Sequence, residues 1–154
     1  MTTKAATGAG AVLSIEVGST WTPILQLNKP MQFSGQKWQY EDVTNFGSPI
    51  FGAGLVKESL PVLVDPGEAS CEGLFLPADP GQLGVAAAFA AGTLASFKLQ
   101  LAVDTVGGQT TAGNLYAFSA FVQENPLPEV PFDKSMTIKI SLKLNTAITV
   151  TQGS

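Results

Sequence analysis

Residues 136–144 read Met-Thr-Ile-Lys-Ile-Ser-Leu-Lys-Leu, and this alternation constrains the fold more than any other feature of the chain. Successive side chains of a strand point to opposite faces. Met136, Ile138, Ile140, Leu142 and Leu144 therefore share one face, and Thr137, Lys139, Ser141 and Lys143 the other. The same period recurs at 97–104, where Phe97, Leu99, Leu101 and Val103 face in while Lys98, Gln100 and Asp104 face out. It recurs again at Leu13, Ile15 and Val17, and at Trp38 and Tyr40. Two further segments are apolar on both faces, 114–122 and, less cleanly, 55–64. Such strands lie inside a layered core or against another subunit, and a mostly antiparallel domain of this size favours the second.

One helix is predicted. Asp79 offers an N-cap, Pro80 suits the first helical position and Gly92 offers a C-terminal stop. Leu83, Ala86, Ala87 and Ala90 are the expected buried stripe, with Gly84 a cost of about 1 kcal/mol relative to Ala. The chain thus reads as mainly β, with one flanking helix. It divides into a polar arm over 1–10 and a single domain over 11–154, long enough to bury about 70% of its unfolded surface without a metal or disulfide. The first ten residues lack the apolar core of a signal peptide, and no run of about 18 apolar residues suggests a membrane helix.

The breakers mark two unusual segments. From Thr44 to Leu55 there is no clear period, only Gly47-Ser-Pro49 and Gly52-Ala-Gly54 around Phe46, Ile50 and Phe51. A long loop carrying such residues needs a partner. Glu124-Asn-Pro-Leu-Pro-Glu-Val-Pro-Phe132 is stiff and extended, unable to enter a central strand.

The chain has no histidine and one cysteine, and its net charge is −4 with only 13% charged residues. Its basic residues are all lysines. Missing are an imidazole proton shuttle, a zinc ligand set, a guanidinium fork and an internal disulfide. Ser70 and Ser119 have no base to activate them, and Cys71 has no neighbouring cation to lower its pKa. Gly107-Gly108 reads as a turn, not a phosphate cradle. No catalytic, cofactor or metal site is expected, and the acidic balance argues against tight nucleic-acid binding. A surface so poor in charge is a poor colloid on its own and suits a chain buried in an assembly.

The order of these pieces is distinctive. Gly18-Ser-Thr-Trp-Thr-Pro-Ile24 precedes Glu41-Asp-Val-Thr-Asn45 and the Gly-rich loop. Phe75-Leu-Pro-Ala-Asp-Pro80 leads into the helix, and Ser96-Phe-Lys-Leu-Gln-Leu101, Tyr116-Ala-Phe-Ser-Ala-Phe-Val122 and the 130–149 stretch follow. From about 10 to 150 this resembles the major tail tube protein of long, non-contractile phage tails, the siphophage tail tube family. The resemblance implies two packed antiparallel sheets with a flanking helix, and hexameric rings stacked into a hollow tube. Each subunit would give four strands to a continuous inner barrel. Twenty-four strands spaced about 4.8 Å apart give a barrel roughly 37 Å across before tilt, wide enough for a DNA duplex.

It further implies that the loop reaches the adjacent ring, with Thr44, Phe46, Pro49, Ile50, Phe51 and Leu55 as stacking contacts. Tyr116, Phe118 and Phe121 are then candidates for contacts between subunits. Glu41, Asp42, Glu58, Asp65, Glu68 and Glu72 are candidates for a mildly acidic lumen that lets DNA pass without sticking. Expected partners are copies of the chain and other tail proteins (distal tail, tape measure, tail terminator). The chain would be made in the host cytoplasm and reside in the virion tail, without cofactors or membrane binding. Two alternatives stay open: an inner tube subunit of a contractile tail or secretion injectisome, and a carbohydrate-binding β-sandwich using Trp21, Trp38 and Tyr40.

Overall fold

A computed structural model describes residues 10–154, so the arm expected over 1–10 falls, save for Gly10, outside the described residues. Twelve strands and one helix follow in the order β1 (Val12–Val17), β2 (Thr20–Pro23), β3 (Gln32–Ser34), β4 (Lys37–Asp42), β5 (Ile50–Phe51), β6 (Gly54–Leu55), β7 (Ser59–Asp65), β8 (Glu68–Leu74), α1 (Pro80–Ala91), β9 (Ala95–Gln100), β10 (Leu115–Val122), β11 (Thr137–Leu144) and β12 (Thr149–Thr151). The mainly β, antiparallel architecture with one helix is as the periodicity predicts. The two layers are halves of one continuous sheet, ordered β2-β1-β9-β10-β11-β8-β3, with β12 also paired to β10. That sheet curls far enough for Phe33, on its last strand, to meet Phe118 of β10 edge-on at 5.6 Å.

The core fills the curl. Leu13, Ile15, Phe97, Phe118, Ala120, Ile140, Leu142, Leu144, Ala69 and Cys71 are buried there, and Phe97 stacks on Phe118 at 5.7 Å. On β11 the alternation holds as read, with Ile138, Ile140, Leu142 and Leu144 inside; Ser141 is buried as well, and Met136 lies outside the strand. On β9 it holds only as far as Gln100. Leu101 donates its N–H to the Asn114 carbonyl, and Val103 is exposed in the loop that follows. Gly107 and Gly108 do form a turn there, pinned by the Gly107 N–H on Asp104 Oδ1. Burial pushes the Cys71 thiol up to about 12, with the Glu72 carboxylate adding to the shift, so this sulfur is a packed, inert side chain.

Helix α1 has the caps the sequence announces: Asp79 Oδ2 accepts the Gln82 N–H at 3.1 Å, and Gly92 ends the helix in the left-handed region. Its buried side differs from the expected stripe. Gly81, Gln82 and Val85 face inward, whereas Leu83 is exposed. Gln82 is a clamp: its Nε2 donates to the Leu25 and Leu74 carbonyls, and its Oε1 accepts the Leu76 N–H. Gly81 lets the helix start directly against β2, because a Cβ there would press on the Pro23 carbonyl and lie 2.7 Å from Ile24 Cα. Gly81→Ala is therefore expected to lower stability by about 1–3 kcal/mol despite alanine's better helix propensity; urea denaturation measures it.

Candidate assembly interface

Strands β4 and β7 pair only with each other, as a two-stranded ribbon separate from the main sheet. The alternation of 37–42 and the apolar run 60–64 make both segments good strand formers. The register slips between Gln39 and Tyr40, a bulge that also accommodates Pro61 in an otherwise regular strand. Every residue of β4 is exposed, and so is every residue of β7 except Asp65. Trp38 sits opposite Val64 and Tyr40 opposite Pro61, giving the ribbon an aromatic face turned to solvent. The prediction that 55–64 is apolar on both sides is met by a strand that the chain's own core leaves uncovered.

The loop from Thr44 to Leu55 is the tip of this ribbon, and it is built rather than featureless. Asp42 Oδ1 accepts the Thr44 N–H at 3.0 Å and its hydroxyl at 2.6 Å, while Thr44 Oγ1 accepts the Glu58 N–H at 2.7 Å. Ser48, itself buried, donates its hydroxyl to Glu58 Oε2 at 2.8 Å and accepts the Asn45 N–H. Beyond this latch β5 and β6 form a hairpin around Gly52-Ala53, with Gly52 supplying the positive φ that a primed turn requires. The tip then presents Phe46, Ile50 and Phe51, which are 100%, 73% and 86% exposed. Pro49 and Leu55 are exposed beside them, and Thr44 is held in the latch. The two Thr44 hydrogen bonds hold the Asp42 carboxyl below its ordinary value. A depressed carboxyl stabilises above its unfolded pKa and loses that contribution as pH falls through the lower folded one, so the latch is fully engaged at neutral pH and opens only in strong acid.

The other candidates divide. Phe118 is 4% exposed in the chain's own core, so it cannot serve a neighbouring subunit; the alternation of β10 places it with Ala120 and Val122 on the inward face. Tyr116 shares that face but lies at the open end of the core, and Phe121 points outward, 40% exposed. Among the acidic candidates, Glu58 is taken up by the latch. Asp65 and Glu68 each lie 3.9 Å from Lys143 Nζ, and Asp65 Oδ1 also accepts the Gly67 N–H. Glu72 is exposed on β8 opposite Lys139, and Glu41 is exposed on β4. The polar face of β8 and β11 is thus a ladder of alternating sign, not an acidic stripe. Trp21, Trp38 and Tyr40 make no common platform: Trp21 lies on β2 of the main sheet with Lys98 Nζ 4.6 Å from its ring centre, and the other two lie on the ribbon.

Sequence reasoning missed one feature altogether. Leu99, Tyr116 and Val150 stand side by side across β9, β10 and β12. With Phe33, Val64 and Ile148 they line an apolar groove of about 540 Å³ at the root of the ribbon. The short β12, read only as a polar-apolar tail, gave no local sign that it would border a groove.

No protein-family model matches the chain, and no curated protein is similar to it in sequence. Similar solved structures exist. A chain from the tail of an empty gene transfer agent particle, solved with C6 symmetry, superposes with a TM-score of 0.68 at 14% identity over 96% of this chain and 99% of that one. A chain from the six-fold symmetrised baseplate of the anti-feeding prophage gives 0.64 at 10% identity, over 99% of this chain and 98% of its own. One from the sheath/tube terminator of an extracellular contractile injection system gives 0.64 at 10% identity over 96% of each. The chain therefore has, over nearly its whole length, the fold found in these tail, baseplate and tube-terminator assemblies.

Proposed function

We propose that this chain is the structural subunit of a hollow tail tube, forming sixfold rings that stack into a conduit within a phage or phage-like particle. The observation that carries the reading is the β4–β7 ribbon. A two-stranded ribbon is marginal in water by itself, yet this one displays Trp38, Tyr40, Leu60, Val62, Leu63 and Val64 to solvent, with both outer edges unpaired. Only copies of itself, laid edge to edge around a ring, remove those edges and cover that face. The sixfold symmetry printed for two of the similar structures supports the ring. Glu41, Asp42, Asp65, Glu68 and Glu72 remain the carboxylates proposed for the channel wall, with Lys139 and Lys143 keeping it near neutral so that phosphates are not held. The subunit performs no covalent step; it works by shape and by weak adhesion to what passes.

A second reading, the inner tube of a contractile tail or injection system, is favoured over a naked tail by the similarity to chains from a contractile injection system, one of them in its sheath-tube complex. Purified chain examined by sedimentation and negative-stain microscopy over a rising concentration series is expected to give sixfold rings and tubes. A monodisperse monomer at millimolar concentration refutes the proposal.

A further inference from the structure

We propose that the apolar groove at the root of the ribbon is the socket for the ribbon tip of another copy, so that subunits join head to tail along a polar axis. This rests on the tube reading above. The tip and the groove match in chemistry: residues 43–56 carry no charge and end in the fully exposed Phe46 and Phe51. The groove is floored by Leu99, Tyr116 and Val150 and walled by Phe33, Val64 and Ile148. The groove's one carboxylate, Asp65, is already occupied by Lys143 and by the Gly67 N–H, so an apolar guest strands no free charge there.

A tip cannot fill the groove of its own chain. Val64 and Asp65 lie at the end of β7, and the seven residues of that strand, at about 3.3 Å each, put the tip roughly 20 Å away. The exposure of Phe46 and Phe51 shows that it does not fold back. Each chain thus has one knob and one socket, at opposite ends of the same ribbon. A contact between unlike surfaces is heterologous: it leaves an unused knob at one end of any assembly and an unused socket at the other, and growth continues from both. The groove shares Val64 with the ribbon's exposed face, so knob entry and edge-to-edge pairing would cover one continuous surface.

The test pairs two single-cysteine additions, Phe51→Cys and Val150→Cys, in full-length chains of distinguishable mass. Cys71 is buried and stays silent toward a short bis-maleimide. Mixed chains are expected to give adducts joining the two variants, and a chain with both substitutions a ladder of covalent oligomers. Val150→Asp, on a half-exposed strand, is expected to raise the critical concentration for assembly at least tenfold without unfolding the chain. Tubes that form without such adducts, adducts of Phe51→Cys with itself alone, or unchanged assembly by Val150→Asp overturn this inference and leave the tube reading standing. Failure of the unmodified chain to assemble overturns both.

Discussion

Phe51→Asp is expected to give a chain that folds as stably as the unmodified one but stays unassembled at concentrations where the latter forms tubes. The two effects separate because the Phe51 ring, 86% exposed, touches almost nothing of its own molecule. Surface substitutions of that kind shift folding stability by no more than about 0.5 kcal/mol. Burial of the ring against a neighbour contributes about 1.5–3 kcal/mol. An aspartate forfeits that and adds the cost of desolvating an unpaired carboxylate. A deficit of about 3 kcal/mol or more per contact raises the critical concentration upward of roughly 100-fold, and in the proposed ring it recurs at every subunit. Thermal melting should superpose for the two chains while light scattering and microscopy diverge. Tubes of ordinary length from Phe51→Asp at the usual concentration would remove the tip from the stacking contact. Phe46→Asp should behave alike, whereas Ser48→Ala should weaken assembly by a different route, loosening the latch through loss of the hydroxyl that Glu58 accepts.

What the sequence reveals here is what depends on neighbours along the chain. The alternation of 137–144 locates a strand and its buried side because one face meets the core and the other water. Asp79, Pro80 and Gly92 mark the helix because capping acts within a few residues. The buried stripe of that helix escaped notice for a physical reason: twelve residues without a charge offer no contrast between faces, and the inward positions are held by a glycine and a glutamine. Gln82 is buried because three backbone groups from Leu25, Leu74 and Leu76 converge on it, and no local pattern announces such convergence. The Ser48–Glu58 bond across the tip and the row Leu99–Tyr116–Val150 likewise exist only once distant strands are paired. Phe118 illustrates the reverse error. Its segment is apolar on both faces, which suits a subunit contact, but the curl of the sheet supplies Phe33 and Phe97 as partners within the chain. The stickiness of 44–55 was legible from composition alone, because nothing in the chain could cover three large side chains flanked by glycines.

Gly67→Ala is expected to be the most damaging small substitution at the ribbon, and a comparison with Gly18→Ala isolates why. Both glycines occupy the left-handed region, with φ of 80° and 63°, in two-residue connections between adjacent strands. Placing any L side chain there costs roughly 1–2 kcal/mol. At Gly18 that is the whole effect, since a Cβ would meet nothing within 4 Å. At Gly67 the Cβ would also be driven into the Ser34 carbonyl and to 3.0 Å from the Gln36 N–H, both backbone groups that cannot rotate away. Overpacking of this kind adds about 1–3 kcal/mol, bringing the total to roughly 2–5 kcal/mol of the 5–15 available to a domain of this size. The damage has a direction as well as a size. Gly67 takes a hydrogen bond from the Leu144 N–H and gives one to Asp65, so it ties the root of the ribbon to β11 and fixes the angle at which the ribbon leaves the sheet. Relief of the clash must swing β7 away from β3, which reshapes the wall that Val64 gives the groove. Urea melts should therefore rank Gly67→Ala well below Gly18→Ala. At concentrations where the folded fraction of both is held equal, only Gly18→Ala should still assemble; equal assembly by the two would mean that the ribbon's exit angle is set elsewhere.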